Sequence, residues 1–275
     1  MNNNRLWCWG YVLKKVPDTL NFVPGGNWCS LETGARYIGA DNVVFMDSTT
    51  DAARLDDEYF QYVAGFKQVV CGLQHGKYAE TAKRVSEFSL THPNITGAII
   101  DDFFDYLGDY YKGPSAWMKP EDLKEVRDAL RSVNPALKLY IVRYTRQPAE
   151  EMIPYLPYFD ALNLWVWKGT LDFWETQYVD VLAKYRLLYP GKEILQGLFC
   201  HDYGLEEDWG ENLPVPPERM EAQCRRVSRE LRAGHLDGWC FLQNGWFGRE
   251  THRGTILAAK NYIDWFYGTT TLRDW

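Results

Sequence analysis

The feature that most constrains the fold is an alternation, repeated eight times, of short β-rich runs with longer amphipathic segments. The runs are rich in aliphatic and aromatic residues, as is typical of strands buried in a parallel sheet. The candidate strands are residues 5–12, 42–47, 67–73, 95–101, 137–143, 161–167, 193–200 and 238–244. This pattern predicts an α/β fold made of repeated βα units.

The segments between the strands carry helical boundary signals. Residues 119–135, for example, have Pro120 in the first turn and end at Pro135, which is the usual placement of proline around a helix. The candidate helices are residues 30–39, 56–66, 77–93, 119–135, 148–159, 172–191, 216–235 and 253–268. Eight βα units in 275 residues, with no low-complexity linker between them, predict a single (β/α)8 TIM barrel domain over residues 1–275. A doubly wound open sheet is the alternative, although no glycine-rich phosphate loop follows the first strand.

Composition limits the class of partner. The formal net charge is −7, and no cluster of Lys and Arg interleaves with aromatic residues, so neither a nucleic acid nor an anionic membrane is an expected partner. No apolar run approaches the roughly 18 residues of a spanning helix. The first ten residues, "MNNNRLWCWG", do not resemble a signal peptide, so a cytoplasmic location is expected unless a leader has been removed. The six cysteines form no CxxC motif and are expected to be free, buried thiols.

Polar and aromatic side chains concentrate where the candidate strands end. In a barrel of parallel strands, the carboxyl ends form one mouth, which is where such folds place their functional residues. The other ends of the strands carry far fewer such groups. The candidate site residues at the mouth are Asp47, Asp101, Asp102, Arg143, Tyr144, Asn163, Trp165, Trp167, His201, Asp202, Gln243 and Trp246.

Two groups of tryptophans indicate the kind of substrate. Trp165, Trp167 and Asn163 share one face of the sixth strand, because side chains alternate along a strand. If that face lines the lumen, they form a polar and aromatic floor, and if it faces the helices, they belong to the core. Trp246 is expected to be exposed in a loop, between Gly245 and Gly248. Aromatic faces stack on sugar rings, so a small molecule or an oligosaccharide is the expected substrate.

The fourth strand runs into adjacent acids in "NITGAIIDDFFDY", residues 94–106. Buried carboxylates are costly unless they are paired or hydrogen-bonded. Either Asp101 or Asp102 could be the reactive acid, with its neighbour in a structural or substrate-binding role. Capping of the following segment is the purely structural interpretation.

On these residues the chain resembles the glycoside-hydrolase TIM barrels, in which a pair of carboxylates flanks the scissile bond. The resemblance covers the eight-unit architecture, the acids after strand four, the acid after strand seven and the tryptophans on strands six and eight. It implies a glycosidase in which Asp102 is the acid/base and Asp202 is the nucleophile or base. Asp replaces the Glu of the large retaining clan at both positions, and no Asn precedes the first acid, so the resemblance is to the class and not to one family.

Several alternatives stay open at the level of sequence. Asp102 could pair with Asp105 or Asp47 in place of Asp202. Arg143 and Arg146 could bind an anionic sugar or neutralise nearby acids. A metal-dependent sugar isomerase or epimerase could use Asp47, Asp102, His201 and Asp202 as ligands, and a non-catalytic barrel could bind carbohydrate through the same groups. No metal and no cofactor is expected, because few histidines reach the mouth. The sequence does not indicate an oligomeric state.

Overall fold

The computed structural model describes residues 5–12, 29–46, 52–103, 118–166, 169–202 and 213–268. Eight parallel strands close into a barrel in the order β1-β2-β3-β4-β5-β6-β7-β10. They are β1 Leu6–Tyr11, β2 Asn42–Met46, β3 Gln68–Gly72, β4 Ile95–Ile100, β5 Lys138–Tyr144, β6 Ala161–Trp165, β7 Glu193–Phe199 and β10 Gly238–Leu242. Each lies within one of the eight predicted runs or within one residue of it, so the predicted (β/α)8 barrel is confirmed.

Helical segments connect the strands, and an additional two-stranded antiparallel sheet follows β7. The α-helices are α1 Leu31–Ile38, α2 Asp57–Phe60, α3 Tyr78–Phe88, α4 Pro120–Leu130, α5 Tyr178–Leu188, α6 Pro217–Ala233, α7 Asn244–Phe247 and α8 Arg253–Phe266. The small sheet pairs β8 His201–Asp202 with β9 Leu213–Pro214. No described helix has the length and hydrophobicity needed to span a bilayer.

One predicted helix takes a different form. Residues Ala149–Tyr158 form a 3-10 segment that contains Pro154 and Pro157. Proline has no N–H to donate and clashes with the preceding turn of an α-helix, so two prolines in ten residues exclude the regular helix that the pattern predicts.

The barrel lumen is filled by large aromatic side chains packed against glycines. Trp7 of β1 contacts Tyr140 of β5, with ring centroids 6.2 Å apart, and these strands are on opposite sides of the barrel. Trp9 meets Trp165 of β6 across the lumen at 6.0 Å. A Cβ on Gly197 of β7 would lie 2.1 Å from the Trp165 indole, so this position requires glycine for the indole to occupy the lumen. The lumen is therefore a packed core, as expected of a barrel of this size.

Carboxylates clamp the amino-terminal ends of the strands. Asp160, just before β6, accepts two hydrogen bonds from Arg131, at 2.8 and 2.9 Å, and one from the backbone N–H of Leu139 at 2.8 Å. Asp237, just before β10, repeats the arrangement with Arg186 and a backbone N–H of β7, at 2.6 and 2.8 Å. Each of these clamps ties the start of one strand to the neighbouring strand and to the end of the helix that precedes that neighbour. These polar residues therefore have a structural role.

Candidate active site

The acids after β4 lie at the carboxyl-end mouth and above the lumen. Asp101 is half-buried and Asp102 is exposed. The Tyr144 hydroxyl donates to Asp102 Oδ1 at 2.5 Å. Tyr144 is on the lumen face of β5, because it is four residues beyond Tyr140, which meets Trp7 across the lumen. The Asp102 carboxylate is thereby held over the lumen opening.

The backbone of Asp102 has a left-handed conformation with φ of +46°, the only positive φ outside glycine among the described residues. Asp tolerates this region better than most residues do, but the conformation still costs about 1 kcal/mol or more. The Asp101 side chain offsets part of this cost, since its Oδ1 accepts a hydrogen bond from the Asp102 backbone N–H at 2.9 Å. The two acids thus have different positions: Asp101 fixes the turn, and Asp102 extends from it.

A second phenol, that of Tyr78 at the start of α3, interacts with the two acids. Burial, and then the negative charges of Asp101 and Asp102, raise the pKa of Tyr78 well above its usual value. Tyr78 is therefore a neutral hydrogen-bond donor at any ordinary pH. The exposed His75 ring packs edge-on against it, with centroids 5.8 Å apart. The sequence analysis did not select Tyr78, although its place at the start of a helix just after β3 is a typical position for a functional residue in this fold.

Arg146, in the loop after β5, lies over the ring of the phenol that holds Asp102. Its guanidinium carbon lies 4.6 Å from the centre of the Tyr144 ring, a cation–π distance. Arg143, by contrast, faces the helices: it is fully buried and donates to the Pro148 carbonyl at 3.1 Å and to Glu151 at 3.3 Å. It therefore neutralises Glu151 and does not reach the mouth, which removes it from the sugar-binding candidates.

The acid after β7 is held by a separate set of contacts. Asp202 is on the short strand β8, and its carboxylate forms an ion pair with Arg219 of α6. Its side chain is 20% exposed. Arg219 is not among the residues predicted from sequence, because the ion pair joins β8 to α6 and no local pattern contains both residues. Asp202 is thus at the same end of the barrel as Asp102, with its charge already compensated.

His201 belongs to a buried stack of rings and is not a mouth residue. It is 1% exposed and lies parallel to the Trp246 indole, with centroids 3.9 Å apart. Its Nδ1 is 2.9 Å from Nε2 of His252. Burial, and then His201 and Arg249, lower the pKa of His252 to about 4. The two imidazoles and the indole thus form one buried stack.

The prediction that Trp246 is an exposed loop residue is wrong. Trp246 is 0% exposed and belongs to α7. Asn244 of the same helix bonds the backbone of β1: it accepts from Tyr11 N–H at 2.8 Å and donates to Tyr11 O at 3.2 Å. These bonds draw the helix into the protein and bury the indole, so it has no face for a sugar.

Of the proposed floor residues, Trp165 and Asn163 on β6 face the lumen, as one of the two interpretations predicts, but they are covered. Trp165 is 2% exposed and packs on Phe199, 4.8 Å away, as well as on Trp9. Asn163, two residues nearer the amino end, is fully buried and donates to the Leu195 carbonyl at 3.1 Å. Trp165 supports the mouth from below, and Asn163 belongs to the packed interior beneath it.

Gln243 is buried at the end of the last barrel strand. It directly follows β10 and is 3% exposed, and its Oε1 has no hydrogen-bond partner within the described residues. The other predicted residues, Asp47 and Trp167, and the fallback acid Asp105 lie outside the described residues. Within the described ranges, no three or more His, Cys, Asp or Glu side chains are grouped so as to hold a metal ion.

The fold and the site together define a (β/α)8 barrel with acids and phenols at its carboxyl-end mouth. No protein-family model and no curated protein matches the chain. Among solved structures, the chain is similar to a putative α-L-fucosidase from Bacteroides thetaiotaomicron, with 11% identity, coverage of 96% of this chain and 94% of that one, and a TM-score of 0.58.

Two further solved structures share the barrel. An endo-β-1,3-glucanase of glycoside hydrolase family GH128 from Amycolatopsis mediterranei, solved with laminarihexaose, has 10% identity, coverage of 94% and 99%, and a TM-score of 0.59. The tryptophan synthase α-subunit from Pyrococcus furiosus has 12% identity, coverage of 96% and 98%, and a TM-score of 0.53. At such identities the likeness shows the fold alone, and the reaction has to be argued from the site.

Proposed function

We propose that the protein is a glycoside hydrolase that uses Asp102 and a second carboxyl at the barrel mouth to cleave a glycosidic bond. The observation that carries the proposal is the arrangement around Asp102. An exposed carboxylate is held over the lumen by a phenol, on a strained backbone that the neighbouring acid stabilises. Strained conformations of this kind cluster at active sites, and capping alone would not require the bond to Tyr144.

The chemistry of glycoside hydrolysis suits these groups. One carboxylic acid protonates the departing oxygen, and one carboxylate attacks the anomeric carbon or takes a proton from the attacking water. Asp101 and Asp202 are the described candidates for the partner of Asp102. Asp101 is adjacent to it, and Asp202 enters from β8 with its charge compensated by Arg219.

Sugar hydroxyls need donors and acceptors around the acids. The phenols of Tyr78 and Tyr144, the Arg146 guanidinium and the exposed His75 supply such groups on the β3 and β5 sides of the mouth. The Gln243 Oε1 is an acceptor at the end of β10, and a hydroxyl that reached it would offset the cost of its burial. We place oligosaccharides first among the candidate substrates, since one structural neighbour was solved with laminarihexaose.

A substrate screen tests the proposal. The wild-type protein and the Asp102→Asn variant are incubated with aryl glycosides, fucosides among them, and with laminari-oligosaccharides and other plant or microbial oligosaccharides, and released sugars are measured. Asp128→Asn is the matched control, because Asp128 is an exposed carboxylate on α4 that bonds only Lys124 and Arg127 among the described contacts. Cleavage by the wild type and the control but not by Asp102→Asn supports the proposal. Tight binding of an oligosaccharide that is never cleaved contradicts it and favours a carbohydrate-binding barrel.

A further inference from the structure

Tyr144 is positioned more firmly than a surface phenol usually is. Its side chain is buried, with 6% of the residue exposed. Its backbone N–H donates to Gln147 Oε1 at 3.0 Å, and its carbonyl accepts from the Gln147 N–H at 2.9 Å. The Tyr185 hydroxyl donates to the same carbonyl at 3.3 Å. The phenol oxygen therefore has a defined place before any ligand arrives.

The hydrogen bond from Tyr144 favours one protonation state of Asp102. A neutral phenol that donates to a carboxylate forms a charge-assisted bond, which is roughly twice as strong as a bond between neutral groups. The bond is weaker when the carboxyl is protonated, so the ionised form gains more from Tyr144. The Arg146 cation over the ring face draws electron density from the phenol and makes it a better donor.

The other charged and titratable groups around Asp102 set the background for this effect. They are Asp101 on the same turn, Tyr78 from α3 with His75 beside it, and Tyr144 and Arg146 from β5 and its loop, among the described residues. When Asp101 is ionised, its like charge opposes the ionisation of Asp102; a protonated Asp101 does not. Tyr78 remains neutral because burial and the two acids disfavour its phenolate, so it adds no negative charge.

We propose that Tyr144 is a positioning residue that keeps Asp102 ionised and aims its carboxylate at the substrate, with Arg146 strengthening the phenol as a donor. This inference rests on the proposed glycosidase function and refines it. Asp102 then has the ionised role of the pair and not the acid role that the resemblance implies.

The chemical step follows from that assignment. An Asp102 oxygen forms a bond to the anomeric carbon while the bond to the leaving oxygen breaks, and the second carboxylic acid gives its proton to that oxygen. In the inverting version, Asp102 takes a proton from the water that forms the new bond, with the same proton transfer to the leaving group. In both versions, the removal of Tyr144 leaves the reacting groups present but alters the protonation of Asp102.

The direct test is an NMR titration of the side-chain carboxyl carbons in protein labelled at aspartate, with the Asp102 signal assigned by its absence in Asp102→Asn. In Tyr144→Phe, we expect the midpoint of the Asp102 titration to rise by about one pH unit. Arg146→Gln should raise it by less. Tyr178→Phe is the control. This variant also removes a buried phenol hydrogen bond, which Tyr178 donates to Gln196 Oε1 at 2.6 Å, but that bond lies away from Asp102, beside β7. An unmoved midpoint in both Tyr144→Phe and Arg146→Gln, or an equal rise in Tyr178→Phe, would overturn the inference.

The same variants separate this inference from the proposed function. If the wild type cleaves a glycoside, the acid limb of its kcat/KM profile should move to higher pH in Tyr144→Phe, by the shift that NMR records. An unchanged acid limb beside a changed titration contradicts the role of Asp102 as the ionised group. If no glycoside is cleaved but the midpoint still rises in Tyr144→Phe, the proposed function fails while the control of Asp102 by Tyr144 stands.

Discussion

Gly197 should resist replacement by alanine because its missing side chain makes room for the Trp165 indole. A Cβ at this position would lie 2.1, 2.2 and 2.4 Å from three indole carbons of Trp165, far inside van der Waals contact. The indole has no free space to move into, since it is 2% exposed and packs on Trp9 and Phe199. Overpacking of this kind costs about 1–3 kcal/mol.

Part of that cost is offset because alanine is favoured over glycine in a strand by about 0.5–1 kcal/mol. We therefore expect Gly197→Ala to lower the free energy of unfolding by up to about 2.5 kcal/mol. In a Trp165→Leu background, which should itself cost about 2–4 kcal/mol, the clash is gone, and Gly197→Ala should be neutral or slightly stabilising. The coupling between the two positions should thus exceed about 1 kcal/mol.

Urea unfolding of the wild type, both single variants and the double variant measures this coupling. Gly65→Ala is the control, because a Cβ there meets only the mobile end of Arg36, at 2.9 Å, and should change the stability by less than about 0.5 kcal/mol. If Gly197→Ala changes the stability by the same amount in the wild type and in the Trp165→Leu background, the packing of the lumen around Trp165 is wrong.

Two further predictions concern the clamp and the buried imidazoles. Asp160→Asn should lower the free energy of unfolding by about 1–3 kcal/mol, because the charge-assisted bonds from Arg131 are weakened. The control Asp128→Asn, at an exposed carboxylate, should lower it by less than about 0.5 kcal/mol. Equal losses in urea unfolding would refute the structural role of Asp160. Burial lowers the pKa of His252 to about 4 in the folded state, so as the pH falls the unfolded chain takes up a proton at His252 before the folded protein does. The stabilisation of the folded state by neutral His252 is therefore present above pH 6.5 and is lost as the pH falls toward 4. Its loss between pH 7 and pH 5 should be about 2 kcal/mol. His252→Gln should remove this part of the pH dependence of unfolding, and an unchanged dependence would show that His252 does not carry it.

The barrel could be predicted from sequence because its strands are local patterns. Each run of aliphatic and aromatic residues, bounded by turn or helix signals, carries its own periodicity, and the count of eight βα units then limits the topology. One departure from the predicted helices also has a local cause. Pro154 and Pro157 convert one predicted helix into a 3-10 segment, and this effect could have been read from the residues.

The site was less predictable because its contacts are long-range. Asp102 follows β4 and Tyr144 ends the neighbouring strand β5, 42 positions away along the chain. Their bond therefore depends on barrel register and on the turn after β4. Trp246 is buried by Asn244, which bonds Tyr11 from 233 positions away. Arg219 of α6 reaches Asp202 of β8 from 17 positions away. The residue types indicated the carboxyl ends of the strands, but the exposure and partners of these residues follow from packing that no short window contains.

The Asp102→Asn variant decides whether Asp102 is a reactive carboxylate or a structural cap. Asn tolerates the left-handed conformation and keeps an oxygen that can accept from Tyr144, so the free energy of unfolding should change by less than about 1 kcal/mol. With the best glycoside from the screen, kcat/KM should fall by about 100-fold or more. A variant that loses several kcal/mol of stability while it cleaves the glycoside at the wild-type rate would contradict the account.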